Sequence, residues 1–120
     1  MEILQLGAVE LRFAELIWDN APIGSGDLVT LALEALNWKK STTYTVLRKL
    51  CQRGLFQNTD GCVTVRITKE EYKSTQSTQF VDGNFAGSLP AFLAAFTAKK
   101  PLTQKEIDEI QAMIDNSKGV

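Results

Sequence analysis

Between Lys40 and Gln52 the chain carries hydroxyls, a phenol and cations that a helix would bring to one side. Lys40, Ser41, Tyr44, Thr45 and Arg48 form that side, with Thr42, Lys49 and Gln52 beside them. Short hydroxyl groups reach base edges or phosphate oxygens, and arginine or lysine neutralises backbone charge, so the set suits the major groove of duplex DNA. On an isolated helix the same residues would be an ordinary solvated face, so their setting in the chain must decide. Further along, Asn58, Thr59 and Arg66 sit in a β-prone stretch. They are placed either to touch a DNA backbone or to end a sheet edge that only braces a core.

Charge supports the first reading. The whole chain has a formal net charge of −1. From Trp38 to Arg66, however, Lys39, Lys40, Arg48, Lys49, Arg53 and Arg66 face a single carboxylate, Asp60. A basic segment inside a near-neutral chain is the electrostatic footprint of a nucleic-acid binder.

Other chemistries lack their residues. The chain has no histidine, which removes Ser-His-Asp and Cys-His catalysis, most zinc sites and the commonest general base. It has neither a G-x-G-x-x-G sequence nor a P-loop. Cys51 and Cys62 form no C-x-x-C pair and read as free, partly buried thiols. The expectation is a protein that is not an enzyme and carries no metal or cofactor. No apolar run approaches the ~18 residues needed to span a bilayer. Met1-Glu2-Ile3 lacks the basic start of a secretory signal, so a cytoplasmic location is expected.

The elements that must position the polar face follow from periodicity. Leu6, Val9, Phe13, Leu16 and Ile17 recur at helical spacing, and Pro22 and Gly24 end that helix. Ser25 is placed to cap a second helix with Asp27 in its first turn and a stripe of Leu28, Leu31, Ala32, Ala35 and Leu36. After Asn37 to Lys40, a third helix turns Thr43, Val46, Leu47 and Leu50 inward and stops at Gly54. Two β-prone runs then flank Asp60-Gly61, a strong hairpin signal. Three helices followed by a hairpin describe a winged helix.

The remainder is helical and well punctuated. Thr68-Lys-Glu-Glu71 is a capping box opening a helix to about Asp82, with Gly83 and Gly87 as interruptions. Leu89, Phe92, Leu93 and Phe96 face one way on the next helix, which Pro101 stops. Thr103-Gln-Lys-Glu106 is a second capping box, and Ile107, Ile110 and Ile114 stripe the last helix. Three short helices cannot hide this much Phe and Ile within themselves, and a second copy of the chain is the simplest cover. Phe92, Leu93, Phe96, Ile107, Ile110 and Ile114 are therefore the candidate dimerisation residues.

In order and spacing, these residues resemble the penicillinase-repressor (BlaI/MecI/CopY) type of bacterial transcriptional regulator. The resemblance is carried by Leu16-Ile17-Trp18, Trp38 to Leu50, Arg53-Gly54-Leu55, Asp60-Gly61, Gly87-Ser-Leu, Leu93-Ala-Ala-Phe96 and Leu102 to Ile110. It implies a homodimeric repressor on an inverted-repeat operator, with Thr42, Thr45 and Lys49 on the DNA-facing helix. It also implies inactivation by a protease, with Ala95–Phe96 as the bond matching the cleaved one; Phe96 reads alternatively as a dimer-core residue alone. Lys39-Lys40 stands where the family usually has Ser-Pro, which leaves Ser41 to cap the helix or moves its start. The tail lacks the cysteines of the copper-sensing branch.

The reading is thus a mostly α chain with a small antiparallel β wing. A winged helix-turn-helix DNA-binding domain covers residues 1–68 and a helical dimerisation region residues 69–120. Lys40, Ser41, Thr42, Tyr44, Thr45, Arg48, Lys49 and Arg66 are the candidate DNA-binding residues of a sequence-specific repressor. The alternative is a winged-helix protein-interaction module that does not bind DNA.

Overall fold

The computed structural model describes residues 5–118. Met1, Glu2 and Ile3, read above as unlike a secretory signal, lie outside the described residues. The element order is α1 (Ala8–Asn20), β1 (Ile23–Gly24), α2 (Ser25–Leu36), α3 (Lys40–Gln52), β2 (Phe56–Thr59), β3 (Cys62–Val65), α4 (Lys69–Phe85), α5 (Leu89–Lys99) and α6 (Gln104–Lys118). Helices predominate, and the strands form one antiparallel sheet in the order β1-β3-β2.

The chain divides into two compact units, Met1–Ser77 and Thr78–Val120. In the first, α1, α2 and α3 enclose a core with one face of the sheet. Phe13, Ile17, Leu28, Leu50, Leu55 and Val63 are all fully buried. The inward positions expected of the third helix are inward, except that Val46 is only half-buried. Two stripe residues point outward instead: Val9 is 52% exposed, and Ala35 is exposed as well.

Gly54 ends α3 as expected. It takes a left-handed conformation at φ 85°, the Gly54 N–H donates to the Cys51 carbonyl, and the Leu55 N–H donates to the Leu50 carbonyl. That pair of bonds is a Schellman motif, which glycine favours because a Cβ is strained at this φ. The wing turn is equally well matched. Asp60 and Gly61 both have positive φ, 52° and 79°, the geometry of a type I′ hairpin turn. Phe56 opposes Val65 and Thr59 opposes Cys62 across the hairpin.

Three expectations need correction. The strand β1 was not anticipated, because two residues around Gly24 carry no alternation to read; it pairs Ile23 with Val63. The division between units falls within α4, beyond the expected boundary at Thr68. The first turns of α4 belong to the first unit: Tyr72 is 1% exposed, and its hydroxyl accepts the Leu6 N–H at 3.0 Å. Finally, Gly83 does not break α4. A helical glycine costs only about 1 kcal/mol against alanine, and the helix ends instead where Ala86 and Gly87 turn left-handed.

The second unit holds the end of α4 with α5 and α6. Ser88 caps α5 by accepting the Ala91 N–H, and Thr103 and Glu106 exchange the two bonds of a capping box at α6. Phe80, Phe85, Phe92 and Phe96 form a chain of ring contacts with centroids 5.6–6.2 Å apart. None of the described residues of this unit is fully buried.

Candidate nucleic-acid interface

The helix α3 has Lys39 as its N-cap, with no side-chain cap, so neither Ser41 nor any other hydroxyl closes its start. One face of α3 is fixed by burial of Thr43, Leu47 and Leu50. The opposite line then falls on Ser41, Thr45, Arg48 and Gln52, spaced i, i+4, i+7 and i+11. All four are exposed, as are Lys40, Thr42 and Lys49. Gln52, read from sequence as flanking, belongs to the middle of this face. The Thr45 hydroxyl donates to the Ser41 carbonyl at 2.9 Å, leaving its methyl and one lone-pair side free for a base edge.

Tyr44 stands apart. It is half-buried and packs against the core, and its hydroxyl lies 3.0 Å from the Ser25 hydroxyl. Ser25 itself does not cap α2, as the sequence suggested. Gly24 occupies the cap position, Ser25 is already in the first helical turn, and its side chain turns to Tyr44.

The flank of α3 carrying Tyr44 and Cys51 meets the wing. An open cleft of about 260 Å³ is lined by Tyr44, Leu47, Arg48, Cys51 and Asn58, so the recognition-type helix and strand β2 border one depression. Burial pushes the Cys51 thiol above its ordinary pKa, with partial opposition from the Asn58 backbone N–H. Arg66 is exposed at the base of the wing and donates to the Gln57 side-chain oxygen at 3.4 Å. Arg53, part of the basic segment, is engaged elsewhere, donating to the Gln5 carbonyl at 3.2 Å.

Both tryptophans are anchors. Trp18 packs against Phe56 and Tyr72 and donates its indole N–H to the Ile67 carbonyl, while Trp38 packs at a tilt against Phe13 with ring centroids 5.0 Å apart. Of the candidate dimerisation residues, Phe96, Ile107 and Ile114 are 42–46% exposed, and Phe92, Leu93 and Ile110 are half-buried. Phe80, Leu89 and Met113 are exposed beyond 50%. Phe80 was missed in the sequence because it lies on a helix whose polar composition hides it. Ala95 and Phe96 sit in the interior of α5.

Among the described residues no cluster of three or more His, Cys, Asp or Glu side chains is placed to hold a metal ion. No described helix is long and apolar enough to cross a membrane.

The sequence is similar to the penicillinase repressor of Bacillus licheniformis, with 24% identity over 122 residues, covering 98% of this chain and 95% of the relative. Among solved structures, a multiple antibiotic-resistance repressor (MarR) from Listeria monocytogenes 4b F2365 matches at a TM-score of 0.49 and 16% identity, over 97% of this chain and 75% of the other. The family profile described as penicillinase repressor matches residues 6–116. With that match spanning nearly its whole length, the chain belongs to the penicillinase-repressor family, a class of DNA-binding transcriptional repressors without enzymatic activity.

Proposed function

We propose that the protein is a cytoplasmic, sequence-specific repressor that binds an inverted-repeat operator as a homodimer. The observation that carries this reading is the exposed line Ser41, Thr45, Arg48 and Gln52, opposite the buried face of α3, with Arg48 also lining the cleft that α3 shares with the wing. Lys40, Thr42 and Lys49 extend that surface, and Arg66 supplies a cation from the wing. Arg48, Lys49 and Arg66 act on phosphates. Thr45 reads a base edge, its methyl matching the C5-methyl of thymine. Half-sites lie about 10 base pairs, or a multiple of that, apart, because two identical helices must meet the same side of the duplex.

Salt dependence of binding is the direct test. A dimer neutralising about six phosphates should give a log–log slope of affinity against salt near −5. A slope of zero would overturn the DNA reading and favour the protein-interaction module.

The same reading covers inactivation. Cleavage at Ala95–Phe96 by a protease would separate α6 and divide the apolar surface we assign to dimerisation. Since the bond lies within a helix, cutting requires local opening. Fragments ending at Ala95 under inducing conditions support the cleavage; an intact chain during derepression eliminates it.

A further inference from the structure

Ser25 is the residue where the two DNA-facing elements meet. Its backbone N–H donates to the carbonyl of Gly61, in the wing turn, at 2.8 Å. Its hydroxyl lies 3.0 Å from the hydroxyl of Tyr44, on the flank of α3 that borders the wing. One residue at the start of α2 therefore holds the tip of the wing through its backbone and the recognition-type helix through its side chain. The contact is partly buried, which shields it from competition by water. The side chain of Ser25 also lies beside the wing turn, since a Cβ built on Gly61 would be in ordinary van der Waals contact with the Ser25 hydroxyl oxygen at 3.7 Å.

We propose that the Ser25–Tyr44 pair is a positioning device that sets the wing against α3, so that both elements meet the duplex in one pose. This rests on the DNA-binding reading. Ser25 is not among the candidate DNA contacts, and Tyr44, counted among them from the sequence, is half-buried against the core: Tyr44 acts through Ser25, and Ser25 acts through the wing turn. The phenol is suited to this task because it reaches across the cleft edge while its ring packs on the core. Without the bond, the helix and wing would each remain folded but vary in spacing. Binding would then pay an added ordering entropy.

The test is a double-mutant cycle on the full chain. The probe is the duplex that the wild-type chain enriches from a random pool of about 30 base pairs, long enough for two half-sites one turn apart. Ser25→Ala and Tyr44→Phe should each weaken binding about fivefold, the effect of losing one hydrogen bond. The double variant should be no weaker than either single one, because both remove the same bond. Arg66→Ala should cost less in the Ser25→Ala background than in the wild type, and Ser25→Thr, which keeps a hydroxyl, should restore binding. A second readout needs no DNA. Tyr44→Phe should speed hydrogen exchange at the Ser25 amide, which Tyr44 does not itself bond. Additive losses, or unchanged Ser25 exchange, would overturn the positioning role while leaving DNA binding intact. Failure of the wild type to enrich any duplex would overturn both.

Discussion

The Thr43 hydroxyl, on the inner face of α3, is fully buried and has no hydrogen-bond partner among the described residues. A buried hydroxyl without a partner carries its desolvation cost uncompensated, and valine has nearly the same shape without that cost. Thr43→Val should therefore raise stability by about 1 kcal/mol, read as a higher denaturation midpoint with an unchanged slope. A fall in midpoint would show that the hydroxyl does find a partner. At this scale the sequence reading was uneven. The inward placement of Thr43 followed from helical spacing, and so did the outward placement of Thr45 and Arg48. The partners of Ser25 and Tyr44 did not, because they are nineteen residues apart and meet only through tertiary packing. A serine following glycine before an apolar run looks like a cap; one position of shift freed its hydroxyl for another use.

Among the elements, those with a strong local signal were the ones read well. Asp60-Gly61, Gly54 and the two Thr-x-x-Glu boxes each satisfy backbone groups at a chain reversal or helix end, and such chemistry is local. The short strand β1 and the long course of α4 depend on what packs beside them. Gly83 illustrates the point, since a Cβ there would meet nothing within 4 Å. Gly83→Ala should stabilise α4 by about 1 kcal/mol, seen as higher helicity near the midpoint of thermal unfolding; no change would mean that the helix is already frayed there. The start of α6 gives a pH-dependent counterpart. Hydrogen bonds from the Thr103 backbone and side chain hold the Glu106 carboxyl below its ordinary pKa. Because the folded pKa is the lower one, this contribution is complete above the ordinary glutamate value, roughly pH 4. It is lost as pH falls through the depressed value. Amide exchange at the start of α6 should accelerate over that acid range, and Glu106→Gln should remove the acceleration.

For the molecule as a whole, the second unit combines a large apolar content with no fully buried residue among those described. An exposed apolar surface of this kind calls for a cover. Sedimentation equilibrium should accordingly show two chains, and charged substitution at Phe96 and Ile107 should shift the balance toward one chain. A single chain in the unaltered protein would remove the dimer from the proposal. A truncation designed to leave a folded DNA-binding unit must retain α4 through Ser77, since ending at Thr68 would delete the buried Tyr72. The sequence showed that an arm existed and that it was apolar. It did not show where the units divide, because the capping box at Thr68 marks where a helix begins rather than which core receives its first turns.

The ring contacts of the two units also divide the chain optically. Trp18, Trp38, Tyr44 and Tyr72 all lie in Met1–Ser77, whereas Phe80, Phe85, Phe92 and Phe96 are the aromatic residues of Thr78–Val120. Fluorescence excited at the red edge of indole absorption therefore reports on the first unit and is blind to the second, while far-ultraviolet circular dichroism sees the helices of both. If the units melt as one, the two signals will trace a single curve; if the arm loosens first, ellipticity will fall while the emission spectrum stays fixed. The protein thus carries its own spectroscopic label for telling the unfolding of the arm from that of the body, with no dye attached.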